Sequence, residues 1–304
     1  MEFEHDYFLK LEGLGKYPEL KISKDEYTEI IKAREILNAA LSIEEKYDIV
    51  LGNFLDFEKE LLALTLDKIV GHSFDYDRAY AVLSAMNRRT VNFLVSGKSY
   101  TKSIAKKASK CVSNSEEVEA EVTKMTNSHY DNNIDYRLME ALRNHVSHSG
   151  GCVHLVENPD RWTVDDDKQA KNLVFNTSIY ALKKHLSENA GFKGPILREL
   201  PDKIDLKKAV RSYLGAISRL QEGVRNIISE SVRSARAVIE DHKKKYADFN
   251  NGCAFAVGAY SAASHKLGEE PIMLILEWDD VRMNLIKKNQ SLSNMEKRYM
   301  STAI

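Results

Sequence analysis

The sequence is poor in the residues that interrupt helices. It contains 5 prolines and 14 glycines among 304 residues, and these two residue types are the strongest local breakers of regular structure. Their scarcity argues against a protein built from many strands and turns. Hydrophobic residues make up 43% of the chain, which is ordinary for a globular protein with a buried core. We therefore expect a mostly α-helical protein with minor β elements.

Features of membrane and secreted proteins are also missing. No apolar run approaches the roughly 18 residues that suggest a membrane-spanning helix, and the acidic N-terminus lacks the apolar region of a signal peptide. The 3 cysteines, Cys111, Cys152 and Cys253, are widely spaced and odd in number, which is typical of reduced thiols and not of a disulfide framework. We expect a soluble, cytoplasmic protein that does not contact a membrane.

Charge is balanced overall but unevenly distributed along the chain. The net charge is −1, yet residues 78–110 contain eight Lys or Arg and no acid, whereas residues 111–140 contain seven acids and two bases. Such asymmetry can create a positive surface on a neutral molecule. The alternative is an ordinary solvated helix face whose charge is balanced by acids that the fold brings close.

Hydrophobic periodicity and capping patterns predict the main elements. The spacing of Ser42 and Glu45 matches a capping box and predicts a helix that opens there and runs toward residue 70. Another helix is expected to start near Asp75 or Asp77 and to be interrupted at Gly97. The remaining predictions are a strand within 3–11, a helix over 24–38, a helix over 113–125, a loop over 127–133, a helix over 134–147, irregular chain over 152–168, a strand or, alternatively, a helix over 173–182, a helix over 205–245, a strand or apolar helix over 271–278, and a final helix after residue 278.

The segment from Arg143 to His148 is the candidate for chemistry. Arginine stays protonated and can hold phosphate with its planar fork. Histidine titrates near neutrality and can transfer a proton, and asparagine can hydrogen-bond through both ends of its amide. Asn144 and His148 share a helical face, but Arg143 lies five positions from His148 and points well away on a regular helix. The two converge only if the last turn is distorted or if two chains meet across a symmetric interface.

The run Leu142-Arg143-Asn144-x-x-x-His148, preceded by Leu138-Met139-Glu140-Ala141 and followed by Gly150-Gly151, resembles the signature of HEPN domains (higher eukaryotes and prokaryotes nucleotide-binding). Many HEPN domains are metal-independent ribonucleases of bacterial defence, toxin–antitoxin and CRISPR systems. A looser similarity extends over about residues 40–230. The resemblance implies a HEPN-like helical bundle over 41–230, with an N-terminal extension over 1–40 and a C-terminal α(+β) extension over 231–304.

The same resemblance implies roles for the motif. Arg143 and His148 would be the catalytic pair and Asn144 the residue that orients them, with two copies of the motif meeting at a homodimer cleft. The reaction would be RNA cleavage by the ribose 2′-hydroxyl, without a metal or other cofactor. A bacterial defence or toxin effector is implied, for which an antitoxin or regulatory protein is a further candidate partner.

Two further groups of residues are candidates for the site. Glu58 falls within an apolar helical stripe, an unusual place for a carboxylate, and is a candidate to pair with Arg143 or to orient His148. The basic stretch supplies candidates for RNA binding, with one tyrosine that could stack on a base. They are Arg78, Arg88, Arg89, Lys98, Tyr100 and Lys102.

Other readings of these residues remain open. Cationic side chains at a helix C-terminus are common because they suit the negative end of the helix dipole, so Arg143 and His148 could serve structure alone. A non-catalytic HEPN-like module that binds RNA, a nucleotide or a partner protein is a second alternative. The cluster of His145, His148, Cys152 and His154 matches no standard zinc spacing, and we expect no metal.

Overall fold

The computed structural model describes residues 6–70, 75–148, 150–189, 191–192, 194–266 and 268–298. Within these ranges the chain is mostly α-helical with short strands, which confirms the expected fold class. None of the helices in these ranges is long and apolar enough to cross a membrane.

The regular elements follow one another along the chain as nine numbered helices, nine strands and one 3-10 turn over Met295–Lys297 in the described ranges. The helices are α1 (Lys24–Ile69), α2 (Tyr76–Ser109), α3 (Ser115–Asn132), α4 (Ile134–His148), α5 (Lys183–Ser187), α6 (Gly194–Glu199), α7 (Leu206–Phe249), α8 (Ala262–Lys266) and α9 (Glu277–Lys288). The strands are β1 (Tyr7–Leu11), β2 (Leu20–Lys21), β3 (Leu155–Glu157), β4 (Arg161–Val164), β5 (Ala170–Val174), β6 (Ser178–Leu182), β7 (Lys203–Asp205), β8 (Val257–Ser261) and β9 (Ile272–Met273).

Helix α1 starts at a capping box formed by Ser23 and Glu26. The backbone N–H of Glu26 donates to the Ser23 hydroxyl over 3.1 Å, and the N–H of Ser23 donates to the Glu26 carboxylate over 2.7 Å. The prediction that a separate helix opens at Ser42 is wrong. No glycine or proline ends α1 before that point, and the Ser42 hydroxyl accepts a hydrogen bond from Lys107 instead of capping a helix.

Side-chain caps also fix the starts of α2 and α4. The Asp75 carboxylate accepts the N–H of Arg78 over 2.8 Å, and the Asn133 amide oxygen accepts the N–H of Tyr136 over 3.1 Å. The predicted loop over 127–133 is wrong, because α3 continues to Asn132 and Asn133 caps the next helix directly. The predicted helices over 134–147 and 205–245 are confirmed as α4 and α7.

The strand predictions are confirmed in part. β1 confirms a strand within 3–11, of which positions 3–5 lie outside the described residues. The strand predicted over 173–182 is two strands, β5 and β6, because the chain turns between them, where the N–H of Asn176 donates to Asp160 over 3.0 Å. β3 and β4 occupy part of the segment predicted as irregular. The segment 271–278 contains the short strand β9 and the start of α9.

The described residues of Met1–Glu45, Ile104–Val122 and Gly223–Gln290 form one compact unit. Its antiparallel sheet has the order β2-β1-β8-β9, and the rings of Phe8 and Tyr260 stack with centroids 5.1 Å apart. The buried carboxylate of Asp279 accepts hydrogen bonds from Arg236 and Arg282. Most of the two extensions expected over 1–40 and 231–304 therefore belongs to one unit.

The described residues of Lys46–Ser103, Thr123–Glu222 and Ser291–Ile304 form a second compact unit. It contains the antiparallel sheet β3-β6-β7 and the hairpin β4-β5. Helix α4 lies in this unit with one face buried, including Leu138, Met139 and Leu142. The rings of Tyr136 and Tyr213 pack with centroids 4.8 Å apart. The motif from Arg143 to His148 therefore forms the last turns of a helix that is packed into the core of this unit.

Helix α2 passes through Gly97 without a break, so the predicted interruption is wrong. The glycine is needed for packing and not for backbone flexibility. A Cβ at this position would lie 2.6 Å from a ring carbon of Tyr213, and that ring is buried. By contrast, a Cβ added to Gly52 in α1 would have no heavy atom within 4 Å.

We expect Gly97→Ala to lower the free energy of unfolding by about 1–3 kcal/mol, because the added methyl overpacks a buried ring. Gly52→Ala is the matched control and should be neutral or stabilising by about 0.5–1 kcal/mol, since alanine is the better helix former. Urea unfolding of both variants measures the difference. Equal stability of Gly97→Ala and the unmodified protein would contradict the packing at this point.

Candidate functional site

The motif residues occupy the exposed part of the last turns of α4. Arg143 is half-buried, and Asn144 and His148 are exposed, whereas His145 faces inward and is 6% exposed. Gly150 has a φ of +135°, a conformation that glycine adopts without strain. The sequence-predicted glycine stop is confirmed, and the motif ends at the point where the chain leaves the helix.

Arg143 and Asn144 contact each other through their side chains. Nη1 of Arg143 donates to Oδ1 of Asn144 over 3.2 Å. Nε of Arg143 is covered by protein but has no acceptor among the described residues. Arg143 thus has one covered donor atom that is unpaired in the described chain, and Nη1 of its guanidinium contacts the amide of Asn144.

Arg143 and His148 do not converge within one chain. α4 remains α-helical through His148, and each residue of an α-helix turns by about 100°. The two side chains therefore leave the axis about 140° apart, whereas Asn144 and His148 are separated by about 40°. A reaction that uses Arg143 and His148 together needs a second copy of the motif or a changed last turn.

Asn144 lies beside a small cavity that also contains two of the predicted RNA-binding lysines. This cavity has a volume of about 220 Å³ and is lined by Lys98, Lys102 and Asn144, among others. Glu140 also lines it and is held by the hydroxyl of Tyr213 over 2.7 Å and by the Lys98 ammonium. Lys102 is exposed and forms no ion pair in the described part of the chain.

The other predicted RNA-binding residues differ in whether their side chains are free to contact RNA. Arg88 is exposed and has no ion-pair partner in the described ranges. Arg78 pairs with an aspartate over 2.9 Å and Arg89 with a glutamate over 3.1 Å, so their charges are largely compensated. Tyr100 is fully buried, and its hydroxyl donates to Gln221 over 2.7 Å. The prediction that Tyr100 stacks on an RNA base is wrong, because its ring has no exposed face.

Glu58 is bound by a residue that the sequence did not indicate. Both of its carboxylate oxygens accept hydrogen bonds from Arg211, over 2.7 and 2.8 Å. The predicted pairing of Glu58 with Arg143 or His148 is therefore wrong. A carboxylate within an apolar stripe was a correct signal of a buried partner, but the partner lies on α7, 153 positions away.

A larger cavity on the neighbouring face of α4 was not predicted. It has a volume of about 760 Å³, and three histidines contribute to its lining, namely His145, His154 and His185. Nδ1 of His145 accepts a hydrogen bond from the side-chain amide of Asn189 over 3.0 Å. Nδ1 of His154 accepts the backbone N–H of Leu182 over 3.0 Å. These contacts require that Nδ1 of each ring be unprotonated.

Burial favours the neutral form of two of these histidines. It lowers the pKa of His154 to about 4, with smaller contributions from the neighbouring His185 and His145. Burial also lowers the pKa of His145, and the Gly151 carbonyl partly opposes that shift. The sequence signal for this cavity is the local density of histidines between His145 and His154.

The described residues contain no group of three or more His, Cys, Asp or Glu side chains arranged to hold a metal ion. Cys152, one member of the cluster considered for zinc, is fully buried. That burial raises the pKa of its thiol to about 12, which opposes the thiolate that zinc requires.

Asn87 of α2 fixes the chain segment that follows α4. Its Oδ1 accepts the N–H groups of Cys152 and Val153 over 2.7 and 2.9 Å, and its Nδ2 donates to the Val153 carbonyl over 3.0 Å. A Cβ on Gly151 would lie 2.6 Å from this Oδ1. Only glycine therefore permits Asn87 to approach the backbone closely enough for these bonds.

Comparisons of the chain with protein-family models, with curated proteins and with solved structures gave no match. The functional argument consequently depends on the motif and on the geometry around α4.

The depressed pKa of His154 predicts a pH-dependent stability. As the pH falls below about 6.5, the unfolded chain takes up a proton at His154 that the folded protein does not bind until about pH 4. The free energy of unfolding should therefore decrease across that window. His154→Gln, which can still accept the Leu182 N–H, should show a smaller decrease in urea unfolding at pH 7 and at pH 5. An unchanged decrease in the variant would refute the assignment.

Proposed function

We propose that this chain is a metal-independent endoribonuclease of the HEPN type, acting as a homodimer in the cytoplasm. The observation that carries the proposal is the arrangement at the end of α4. One face of the helix is locked into a packed core, while Arg143, Asn144 and His148 extend from the other side. The resemblance of the motif to HEPN ribonucleases supplies the reaction type. It also supplies the proposed role as a bacterial defence or toxin effector, which an antitoxin or another regulatory protein would restrain.

His148 carries out the proton transfers in this proposal. An imidazole removes the proton of the ribose 2′-hydroxyl as its oxygen attacks the adjacent phosphorus. The bond from phosphorus to the 5′-oxygen breaks, and that oxygen takes a proton from water, to which the imidazolium of the same His148 then returns its proton. The products are a 2′,3′-cyclic phosphate and a 5′-hydroxyl, and no metal takes part.

Arg143 stabilises the negative charge that builds on the phosphorane oxygens, as a positioned cation does in phosphoryl transfer. Asn144 holds the guanidinium through its Oδ1. The divergence of Arg143 and His148 on one helix supports a site formed by two copies, in which Arg143 of one copy acts beside His148 of the other.

The small cavity beside Asn144 supports binding of the RNA backbone. Lys102 is exposed and unpaired in the described ranges, whereas Lys98 lines the same space but is paired with Glu140. An unpaired lysine beside an amide suits a phosphate group adjacent to the one that reacts.

A non-catalytic module that binds RNA is the second candidate. Arg88 and Lys102 favour it, because both are exposed, form no ion pair among the described residues and can hold phosphate without taking part in cleavage. Under this alternative His148→Ala binds RNA as well as the unmodified protein does, and neither cleaves it.

We expect the full-length protein to cleave RNA in EDTA and to leave 2′,3′-cyclic phosphate ends. His148→Ala should slow cleavage by about 100- to 10 000-fold, and Arg143→Ala by about 100- to 1000-fold. Arg143→Lys should recover only part of the loss, because lysine lacks the planar fork. Arg233→Ala is the matched control, since Arg233 is a 73% exposed arginine remote in sequence from the motif. Cleavage and end chemistry are read by gel and mass spectrometry.

Mixing the two inactive variants tests the shared site. A heterodimer of His148→Ala and Arg143→Ala retains one intact combination of Arg143 and His148, so activity should partly return after subunit exchange. Inert wild-type protein, with and without added metal, would rule out the ribonuclease. Full activity of His148→Ala would rule out this residue as the proton carrier.

A further inference from the structure

The histidine-lined cavity differs in chemistry from the lysine-containing cavity on the same helix. No Lys or Arg lines the larger cavity within the described chain, and its one acidic lining residue is Glu188. The buried imidazole of His145 accepts a hydrogen bond from the Asn189 amide, and the half-buried imidazole of His154 accepts one from the Leu182 backbone N–H. An anion such as phosphate finds no counter-charge there, whereas a neutral, planar heterocycle finds polar partners and a suitable volume.

One aromatic side chain that lines this cavity, Tyr80, is largely exposed to solvent. Tyr80 of α2 contributes to the lining and is 70% exposed. Aromatic rings left open to solvent beside a polar cavity are the platforms on which unstacked bases bind. Tyr76, one turn earlier, is 87% exposed but does not line the cavity.

Glu188 provides a directional acceptor in the same cavity. Its Oε1 lies 3.4 Å from Nδ1 of His185, and the His185 ring is 5.0 Å from that of His154 between centroids. A carboxylate accepts two parallel N–H groups at once. Among the four RNA bases, guanine alone presents two adjacent N–H donors on its Watson–Crick edge.

The position of the motif connects the two cavities. Asn144 lines the smaller one and His145 the larger one. On a helix that turns about 100° per residue, His148 lies between them, about 40° from Asn144 and about 60° from His145. A nucleotide with its phosphate at the lysines and its base in the larger cavity would therefore cross the face that carries His148.

We propose that the cavity lined by Tyr80, His145, His154, His185 and Glu188 is a base-binding site that selects guanine. Tyr80 stacks on the base, and Glu188 accepts its two Watson–Crick N–H groups. The proposal rests on the proposed ribonuclease function for its biological meaning, because it names the base next to the bond that is cut. Base binding itself requires no cleavage and can be measured separately.

The test is a calorimetric or NMR titration of the full-length protein in EDTA with GMP, and with AMP, CMP and UMP as comparators. All four carry the same phosphate, so only the base differs. GMP should bind at least about 10-fold more tightly than the others. Glu188→Gln and Tyr80→Ala should each weaken GMP binding by about 10-fold, while Glu121→Gln and Tyr76→Ala, the matched controls on exposed helix surfaces, should bind as the unmodified protein does.

Each outcome of this titration decides the proposal. Equal binding of all four nucleotides would mean that only the phosphate is recognised, and this result overturns the proposed base site. The absence of any GMP binding overturns it as well. Unchanged GMP binding by Glu188→Gln overturns the assigned edge recognition. If the protein binds GMP selectively but cleaves no RNA, the base site is supported and the ribonuclease proposal is rejected. If it cleaves RNA but shows no selectivity for GMP, the ribonuclease proposal is supported and the base site is rejected.

Discussion

The carboxamide of Asn87 is the contact on which the geometry of the site depends. It holds the backbone of Cys152 and Val153 against α2 through hydrogen bonds of 2.7 to 3.0 Å, and it can do so because Gly151 has no side chain. The chain leaving α4 is thereby fixed within three to five residues of His148. A shorter or apolar side chain at position 87 would leave two backbone N–H groups without this acceptor, which is costly in a partly buried place.

Two chemically different spaces lie beside the helix that carries the motif, and the fixed segment lines the larger one. On one side, Lys102, which forms no ion pair among the described residues, accompanies Asn144 in a small cavity that also contains the ion pair of Lys98 and Glu140. On the other side, His145 and His154, whose pKa values are lowered by burial, line a larger cavity together with Glu188, and this cavity suits an uncharged ring. The exposed His148 lies on the face between them. The nucleotide ligand that we propose would place its charged phosphate in the first space and its neutral base in the second.

Much of this arrangement could be predicted from the sequence, because it is local. The extent of α4 (Ile134–His148), its polar face and its glycine stop follow from periodicity and capping over a few neighbouring residues. The partner of Glu58 could not be predicted, since Arg211 is brought to it only by the tertiary fold. Tyr100 lies among lysines in sequence but on the buried face of its helix, so its neighbours along the chain misled the prediction. The histidine cavity was missed because its walls come from α2, α4 and the region around α5.

The most direct test of the account is to map where RNA touches the protein. Backbone amide signals would be followed by NMR during titration with a 2′-O-methyl oligoribonucleotide, which lacks the attacking hydroxyl and cannot be cleaved. The account predicts shifts at Asn144, His148 and Gly150–His154, together with the α2 turns that carry Tyr80 and Lys98–Lys102. Shifts confined to residues 223–290, or no shifts at all, would contradict the assignment of RNA binding to the end of α4.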